Sequence, residues 1–388
     1  MDLSDSPGEA EFRTQVQEFV DAHWPPARTK RGEQPAEMRD AWDSWRKELT
    51  EKGWIAPAWP AEYGGAGLSV KEQFVLNEVF AENSVMNIGG IGVMMLGPTL
   101  IAHGTEEQKK EHLPRMLAGE VQWAQGYSEP GSGSDLASLQ TRAVRDGDEY
   151  VINGQKIWTT MGHTADWMFM LTRTDPDAPK HRGITYFLLD LKTPGVSIRP
   201  LTTMANNQFF SECFFEDVRV PASNAVDEIN RGWYVGATTL DFERSGIGNA
   251  VGIQRSLNRL LEQARDVPDH ETTLDSHPTR MAFVDRFVEA NVAKMLSYRI
   301  ISMQDRGLVP NYEASMSKLF VTELNQRIAA LTLKTYGLYG TMWDTKRKEA
   351  QSGQAAGGYL NAVQATIAGG TSEIQRNIIA TRGLGLPR

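Results

Sequence analysis

The chain has 388 residues, of which 40% are hydrophobic and 23% charged, with a formal net charge of −9. This length permits two or three domains, and the composition is that of a globular protein with a large core. The acidic balance argues against a general binder of nucleic acid or of anionic membranes. An anionic ligand would therefore need a local cluster of donors.

Cysteine and histidine usage narrows the chemistry further. The single cysteine, Cys213, excludes an internal disulfide, suits a reducing compartment and favours buried packing over a reactive role. The seven histidines show no H-x-H or H-x-x-x-H spacing, so no metal site is expected. The acidic, polar N-terminus does not resemble a signal peptide, and no apolar run approaches the ~20 residues of a membrane span. We therefore expect a cytoplasmic protein.

The first third of the chain has a helical pattern. Phe12, Val16, Phe19 and Val20 recur at the spacing of one buried helix face. Residues 54–67 are too rich in proline and glycine for a helix and predict a loop. Thr105, followed three residues later by Gln108, predicts a capping box that opens another helix. Residues 1–120 are expected to form an N-terminal α-helical domain.

The period then changes to that of strands. Short β-prone runs occupy residues 141–144, 150–152, 167–171, 184–191 and 214–220, with tight turns predicted at 146–147 and 153–154 and a looser one at 194–195. Strands at this spacing predict a compact barrel or sandwich over residues 121–230.

After Gly232 the helical period returns. Val284, Val288, Val292 and Met295 mark one amphipathic stripe, and residues 320–331 give a further helical segment. Residues 346–359 contain the dipeptides Ser352-Gly353 and Gly357-Gly358 and predict a loop. Residues 231–388 are expected to form an antiparallel bundle. The fold class is therefore α+β, with one helical domain before and one after the β domain in the sequence.

A loop of small residues lies at the start of the β region. Residues 126–135 read Gly-Tyr-Ser-Glu-Pro-Gly-Ser-Gly-Ser-Asp, and such a loop lets a ligand approach the backbone and offers hydroxyl and N–H groups to an anion. It matches neither a P-loop nor the dinucleotide fingerprint. Residues 149–160 follow, with Asn153-Gly154 as a hairpin signal and an end at Trp158 to Thr160. The glycines alone leave open an ordinary surface turn and hairpin.

The order of residues in these segments closely resembles the flavin-binding segment of the acyl-CoA dehydrogenase family. A second block, Gly-Gly-Thr-Ser-Glu-Ile-Gln-Arg-Asn-Ile-Ile-Ala at residues 369–380, resembles the family in order and spacing, and the resemblance spans essentially the whole chain. It implies an α domain, a middle β-barrel domain and a C-terminal four-helix bundle that enclose FAD.

The resemblance also implies the position of the catalytic base. Removal of hydrogens from Cα and Cβ of a thioester needs a carboxylate for the α-proton and a flavin for the hydride. Most of the family carries the base just before Gly-Thr-Ser, where this chain has Gly369. A minority carries it on the first long C-terminal helix before an arginine, and here Glu243 precedes Arg244. On a helix Glu243 would share the apolar face of Leu240 and Ile247, and burial there would raise its pKa; a simple helix salt bridge is the alternative.

The remaining site residues are assigned by the same resemblance. Tyr127 and Ser128 would border the isoalloxazine edge, Gly133 and Ser134 the pyrophosphate, and Trp158, Thr159 and Thr160 the other side of the ring. Ser134, Asp241, Arg244 and Gly370 would contact the acyl-CoA, and Thr371, Ser372 and Glu373 would face FAD, from an adjoining subunit or its equivalent. A core role for Trp158 and a helix-surface role for Asp241 and Arg244 stay open, and His163 is expected to complete a turn.

One departure from the family bears on assembly. Homotetrameric members usually carry Arg-x-x-Phe-Gly, whose arginine reaches the neighbour's FAD pyrophosphate, but residues 265–278 contain no such motif. The same combination occurs in catalytic subunits of heteromeric dehydrogenases that act on steroid side chains. The resemblance therefore implies a hetero-oligomer with a sister subunit; a homodimer or homotetramer with another cation is the alternative.

The function implied is FAD-dependent α,β-dehydrogenation of an acyl-CoA to the 2-enoyl-CoA, with Glu243 as base, flavin N5 as hydride acceptor and an electron-transfer flavoprotein as electron acceptor. The alternatives are a flavin-dependent acyl-CoA oxidase or monooxygenase on the same fold, and a non-catalytic structural subunit.

Overall fold

The computed structural model describes residues 5–24, 36–85, 88–244, 248–267, 272–343 and 354–387, and for residues 36–39, 241–244 and 248–250 it describes the backbone alone. In its described residues, the N-terminal region has the α-helices α1 (Pro7–His23), α2 (Ala36–Glu51), α3 (Val70–Glu82), α4 (Gly97–His103) and α5 (Glu106–Ala118). Val16, Phe19 and Val20 are buried on α1 as predicted. The predicted capping box is confirmed, because Thr105 caps α5 and Gln108 returns the bond. Residues 54–67 form turns and one short 3-10 helix, Ala61–Tyr63, which confirms the loop.

The middle region is one eight-stranded sheet. Its strands are β1 (Trp123–Gly126), β2 (Arg142–Asp146), β3 (Glu149–Thr160), β4 (Trp167–Arg173), β5 (Ile184–Asp190), β6 (Val196–Leu201), β7 (Phe210–Pro221) and β8 (Ala225–Val226). The strand order is β6-β7-β3-β2-β4-β5-β8, and β1 pairs in parallel with β4. The long β3–β7 pair and the β1–β4 pair carry the loops that concern the site.

The turn predicted at Asn153-Gly154 is wrong. The β2–β3 hairpin turns at Gly147, and β3 continues through Gly154 with a break in its register against β7. Gly154 has φ +150°, and a Cβ there would lie 2.6 Å from Thr141 Oγ1, so only glycine fits this position. Asn153 exchanges hydrogen bonds with Asp217 on β7, at 3.1 Å through its Nδ2 and 3.0 Å through its Oδ1. Between the pairs Ile152–Val218 and Gly154–Phe215, β3 advances two residues and β7 three, so the dipeptide lies within a strand opposite a bulge in β7.

Among the described residues after 231, the α-helices are α6 (Gly232–Arg244), α7 (Gly248–Arg265), α8 (His277–Gln304), α9 (Tyr312–Tyr336), α10 (Gln354–Ala365) and α11 (Ser372–Ile378). The helical period over 284–295 is confirmed, but Val284, Val288 and Val292 lie on the exposed face of α8. The core instead receives the face with Phe283 and Ala290. The loop predicted at 346–359 is wrong for residues 354–359, which begin α10; residues 346–353 lie outside the described residues.

The predicted order of a helical, a β and a second helical region is confirmed, while the domain boundaries at 120 and 230 stay predictions. Within the described residues, no helix combines the length and the apolar character needed to cross a bilayer.

A buried carboxylate fastens the N-terminal helices to the C-terminal bundle. Glu78 on α3 is 3% exposed; its Oε2 accepts from Arg13 Nη2 at 2.8 Å, and its Oε1 lies 2.9 Å from Lys294 Nζ and 3.2 Å from Tyr298 Oη. Hydrogen bonds to Asp5 and to Glu78 raise the pKa of Arg13. Although burial alone would lower it, the bond to Glu78 raises the pKa of Lys294. Glu78 thus joins α1, α3 and α8.

We expect Glu78→Ala to lower the free energy of unfolding by about 3 kcal/mol, because it removes a buried carboxylate, leaves Lys294 without its carboxylate partner and leaves Arg13 with Asp5 alone. Urea unfolding followed by circular dichroism measures the change. Glu106→Ala is the matched control, since Glu106 is exposed and pairs with Lys109 three residues along α5, and its loss should cost less than about 1 kcal/mol. Equal effects of the two substitutions would contradict the prediction.

Candidate active site

The loop of small residues follows β1 and is open on one side. Gly131, Gly133 and Ser134 are exposed, and no atom lies within 4 Å of where a Cβ of Gly131 or Gly133 would be. Glu129 and Ser132 exchange both backbone hydrogen bonds, at 2.8 and 3.0 Å, and so close the base of the loop. The backbone of this loop is accessible to a ligand, as the sequence predicted.

The end of β3 lies beside this loop. Ile157 N donates to Ser128 O at 2.9 Å, which brings Ser128 next to Trp158. Trp158 has a left-handed φ of +62° and is 59% exposed, with its ring edge-on to Phe210 at 6.1 Å. A core role for Trp158 is thereby excluded. The structure thus brings Ser128 close to Trp158, two residues that the resemblance assigned to opposite sides of the flavin ring.

The residues after Trp158 differ in exposure. Thr159 is 1% exposed and Thr160 is half-buried, so the side chain of Thr159 packs inward and leaves its backbone for any ligand contact. Cys213 packs nearby, and burial raises the pKa of its thiol to about 11, against a smaller opposing effect of Thr159. This confirms the expected burial of Cys213. His163 lies in the 3-10 turn Gly162–Thr164, as predicted, with its Nδ1 3.1 Å from Ser211 Oγ.

Tyr127 connects the loop to helix α6. Its side chain is 6% exposed and packs edge-on against Phe169 and Tyr186, with ring centroids 6.0 and 6.3 Å apart. A Cβ at Gly236 of α6 would lie 3.4 Å from the Tyr127 hydroxyl. Burial, and next the presence of Tyr127, raise the pKa of Tyr186 well above its usual value. The phenol ring of Tyr127 is therefore part of the core that packs against α6. Any contact of Tyr127 with a flavin edge would use its backbone.

Buried hydroxyl groups hold α6 in place. Thr239 on α6 is fully buried, 2.9 Å from the Thr99 hydroxyl and 3.5 Å from the Tyr186 hydroxyl. Glu243 follows Thr239 by four residues in the same helix, so the two positions share one helix face.

The backbones of Asp241, Glu243 and Arg244 are helical, as predicted. Their side chains lie outside the described part of the chain, as does Ile247. The burial, the raised pKa and the catalytic role of Glu243 therefore stay predictions.

The C-terminal block adopts a turn that precedes α11. Gly369 and Gly370 both have left-handed φ values, +63° and +89°. Such a backbone disfavours any side chain at residue 369, where most members of the family that this chain resembles carry the catalytic base. Thr371 caps α11 through its side chain, which accepts from Ile374 N at 3.2 Å. Ser372 is buried and Glu373 is exposed; a hydrogen bond to its own backbone N–H, and next one to the Thr371 side chain, lower the pKa of Glu373.

This block is fastened to α9. Lys318 Nζ donates to Gly370 O at 2.7 Å, and Gln375 Nε2 donates to Gly369 O at 3.0 Å. Helix α10, which leads into the block, contacts the β6–β7 loop through a 3.1 Å bond from Asn207 to Asn361. The structure thus places Gly370, Thr371, Ser372 and Glu373 on the C-terminal bundle, while Ser128 and Trp158 belong to the β region.

Comparison with known proteins decides the family. Three family models match: the acyl-CoA dehydrogenase N-terminal domain over residues 6–120, the middle domain over 124–218 and the C-terminal domain over 230–384. The chain belongs to the acyl-CoA dehydrogenase family. Its members are FAD-dependent oxidoreductases, and this chain is an enzyme of that class.

A curated relative matches most of this chain, and two solved structures match its full length. The acyl-CoA dehydrogenase IpdE1 of Mycobacterium tuberculosis is 38% identical over 89% of this chain and 88% of its own length. A structure described as the Tcur3481-Tcur3483 steroid ACAD superposes with a TM-score of 0.85 at 32% identity, covering both chains fully. The ChsE4-ChsE5 complex from M. tuberculosis gives a TM-score of 0.82 at 33% identity, again with full coverage of both chains.

Two residues of the site were missed from the sequence, Glu129 and Lys156. Lys156 is fully buried, and its Nζ donates to Glu129 Oε1 at 2.8 Å and to Tyr127 O at 3.0 Å. Strand alternation could have identified it, because Lys156 has the same parity along β3 as the buried Tyr150 and Ile152. A lysine at an inward-facing position needs a carboxylate partner.

The residues present fit the family cofactor. A loop without side-chain bulk and an exposed indole at its side suit a dinucleotide whose phosphates approach the backbone and whose flat ring packs against an apolar wall. Among the described residues, no group of three histidine, cysteine or acidic side chains could hold a metal ion.

Proposed function

We propose that this enzyme catalyses the FAD-dependent α,β-dehydrogenation of an acyl-CoA thioester, with Glu243 as the base. The observation that carries the proposal is the place of Glu243 on α6, one turn after Thr239, on the helix that packs against Tyr127. The alternative position for a base, residue 369, is a glycine with a left-handed backbone. The single carboxylate position that the family pattern leaves is therefore Glu243.

Each residue has a role that its chemistry permits. Glu243 would take the α-proton of the thioester, and Gly370 would border the thioester while charge develops on its oxygen. Trp158 would form an apolar wall that excludes water, and Tyr127 and Ser128 would orient the ring edge through backbone and hydroxyl groups. Gly133 and Ser134 would bind the pyrophosphate. The remaining cofactor contacts would come from Thr159, Thr160, Thr371, Ser372 and Glu373. FAD, when bound, supplies the hydride acceptor that no side chain can provide.

The substrate and partners follow from the relatives. Two solved structures of similar chains are described as a steroid ACAD and as a complex of two components, which supports a bulky, steroid-type acyl group and a hetero-oligomer with a sister chain of the same family. Asp241 and Arg244 would hold the CoA moiety, and an electron-transfer flavoprotein or similar acceptor would reoxidise the enzyme. We place this reaction in the cytoplasm.

The test is anaerobic mixing of acyl-CoA thioesters of different bulk with the protein purified together with a sister chain of the same family. We expect bound FAD and loss of its visible absorption, with bulky acyl groups reacting faster than short linear ones. Hydrogen peroxide formed in air would favour an oxidase, and protein without FAD or without any bleaching would contradict the proposal.

A further inference from the structure

The buried ion pair beneath the loop of small residues has no counterpart in the roles assigned so far. Lys156 is 0% exposed and Glu129 8%, and both oxygens of Glu129 are engaged. Oε1 accepts from Lys156 Nζ at 2.8 Å and from Thr141 N at 2.9 Å, and Oε2 accepts from Gln140 N at 2.6 Å. The carboxylate thus joins β3 to the start of β2.

The pair also fixes the segment that the flavin is proposed to contact. Lys156 Nζ donates to Tyr127 O at 3.0 Å, and the next residue, Ile157, donates its N–H to Ser128 O at 2.9 Å. Two consecutive carbonyl groups are therefore held by two consecutive residues of β3. Trp158 follows immediately with its left-handed backbone, so the two sides of the proposed ring site are linked through this one set of bonds.

Stability alone is a poor reason for this arrangement. Burial lowers the pKa of Lys156 to about 8, more than Glu129 raises it. Although burial opposes its charge, the neighbouring Lys156 lowers the pKa of Glu129. A buried ion pair of this kind is often no more stabilising than apolar residues of similar volume. What apolar residues cannot supply is a donor to the Tyr127 carbonyl.

We infer that Lys156 is a positioning residue for the cofactor site: its bond to the Tyr127 carbonyl sets the conformation in which Tyr127 and Ser128 meet the flavin. Glu129 holds the ammonium in place. The inference rests on the proposed function, because it takes FAD as the ligand. It adds a preorganised backbone, so that the loop loses little further freedom when the cofactor binds.

A matched pair of variants separates positioning from folding. Glu129→Gln removes the charge but leaves the Lys156 amine, which can donate to Tyr127 O whether neutral or charged. Adding Lys156→Met to Glu129→Gln removes that donor and leaves no buried charge behind. FAD affinity is measured by quenching of FAD fluorescence on titration into each apoprotein, well below the melting temperature, and the absorption spectrum of the bound flavin is recorded.

We expect the double variant to bind FAD about 10- to 100-fold more weakly than Glu129→Gln alone, as loss of one strong hydrogen bond implies. The bound-flavin spectrum should differ between these two variants, and Lys156→Arg, which keeps a donor at this position, should give the wild-type spectrum. Glu78→Gln is the stability control, because it lowers stability far from the loop and should leave FAD affinity unchanged.

A folded double variant with wild-type FAD affinity would overturn the inference. An unfolded double variant would also overturn it, since the pair would then serve the fold first. A wild-type protein that binds no FAD would contradict the proposed function itself, which keeps the two failures distinguishable.

Discussion

Glu243→Gln is expected to lower the rate of dehydrogenation by about 10³-fold while FAD stays bound, because an amide of the same shape cannot accept the α-proton and positioned bases contribute about 10²- to 10⁴-fold. The measurement is stopped-flow bleaching of the flavin by an acyl-CoA under anaerobic conditions. The position lies at the end of α6, which Tyr127 and the Thr99–Thr239 contact fix against the rest of the protein. A change confined to one side chain should therefore leave the cofactor site intact.

Glu262→Gln provides the matched control for this substitution, because Glu262 is an exposed glutamate on the next helix, α7, and its rate should stay within twofold of the wild type. An unchanged rate in Glu243→Gln would place the base elsewhere. Loss of FAD in that variant would instead assign Glu243 to the cofactor site.

Local signals in the sequence predicted much of the fold. The capping box at Thr105 and the apolar spacing of Val16, Phe19 and Val20 depend on contacts within a few residues, and the structure confirms both. The accessible loop at Gly131 and Gly133 was predicted from its small residues, whereas nothing in the sequence predicted the left-handed backbone of Trp158.

Two sequence patterns are compatible with more than one local structure, and for these the predictions were wrong or incomplete. Asn-Gly is typical of a two-residue hairpin turn, but here it lies within β3 opposite a bulge in β7, and only the pairing of β3 with β7 reveals this. The apolar spacing of Val284 and Val288 indicates a helix, but periodicity does not say which face a neighbour covers. In this chain these two valines are exposed, so the apolar stripe is not the face of α8 that packs into the bundle core.

The candidate site was predicted in part. The resemblance assigned Ser128 and Trp158 to the same flavin, and the structure supplies the bond from Ile157 N to Ser128 O that brings them together. Exposure of Trp158 was left open by the sequence and is shown by the structure. The inward packing of Tyr127 and the role of Lys156 could not be read from residue types, because burial of a polar side chain depends on partners distant in sequence, here Tyr186 and Glu129.

Expression of this chain alone is expected to give protein with a small fraction of its FAD, and co-expression with a sister chain of the same family should bring occupancy close to the full value. Residues 265–278 lack the arginine motif that neutralises a neighbour's FAD pyrophosphate in homotetrameric members. Loss of one charge-assisted bond to a phosphate weakens affinity by about 10- to 100-fold. The measurement is the ratio of flavin to protein absorbance after size-exclusion chromatography.

Two differently tagged copies of this chain form the control for that experiment. If they co-purify with full flavin occupancy, the chain builds its own homo-oligomer with another cation, and the sister-chain proposal fails. The exposed apolar face of α8 gives a second readout, because Val288→Glu should reduce association through that face without touching the loop at Tyr127. If Val288→Glu lowers both co-purification and FAD content together, assembly and cofactor retention are coupled; if it lowers neither, the partner contacts a different surface.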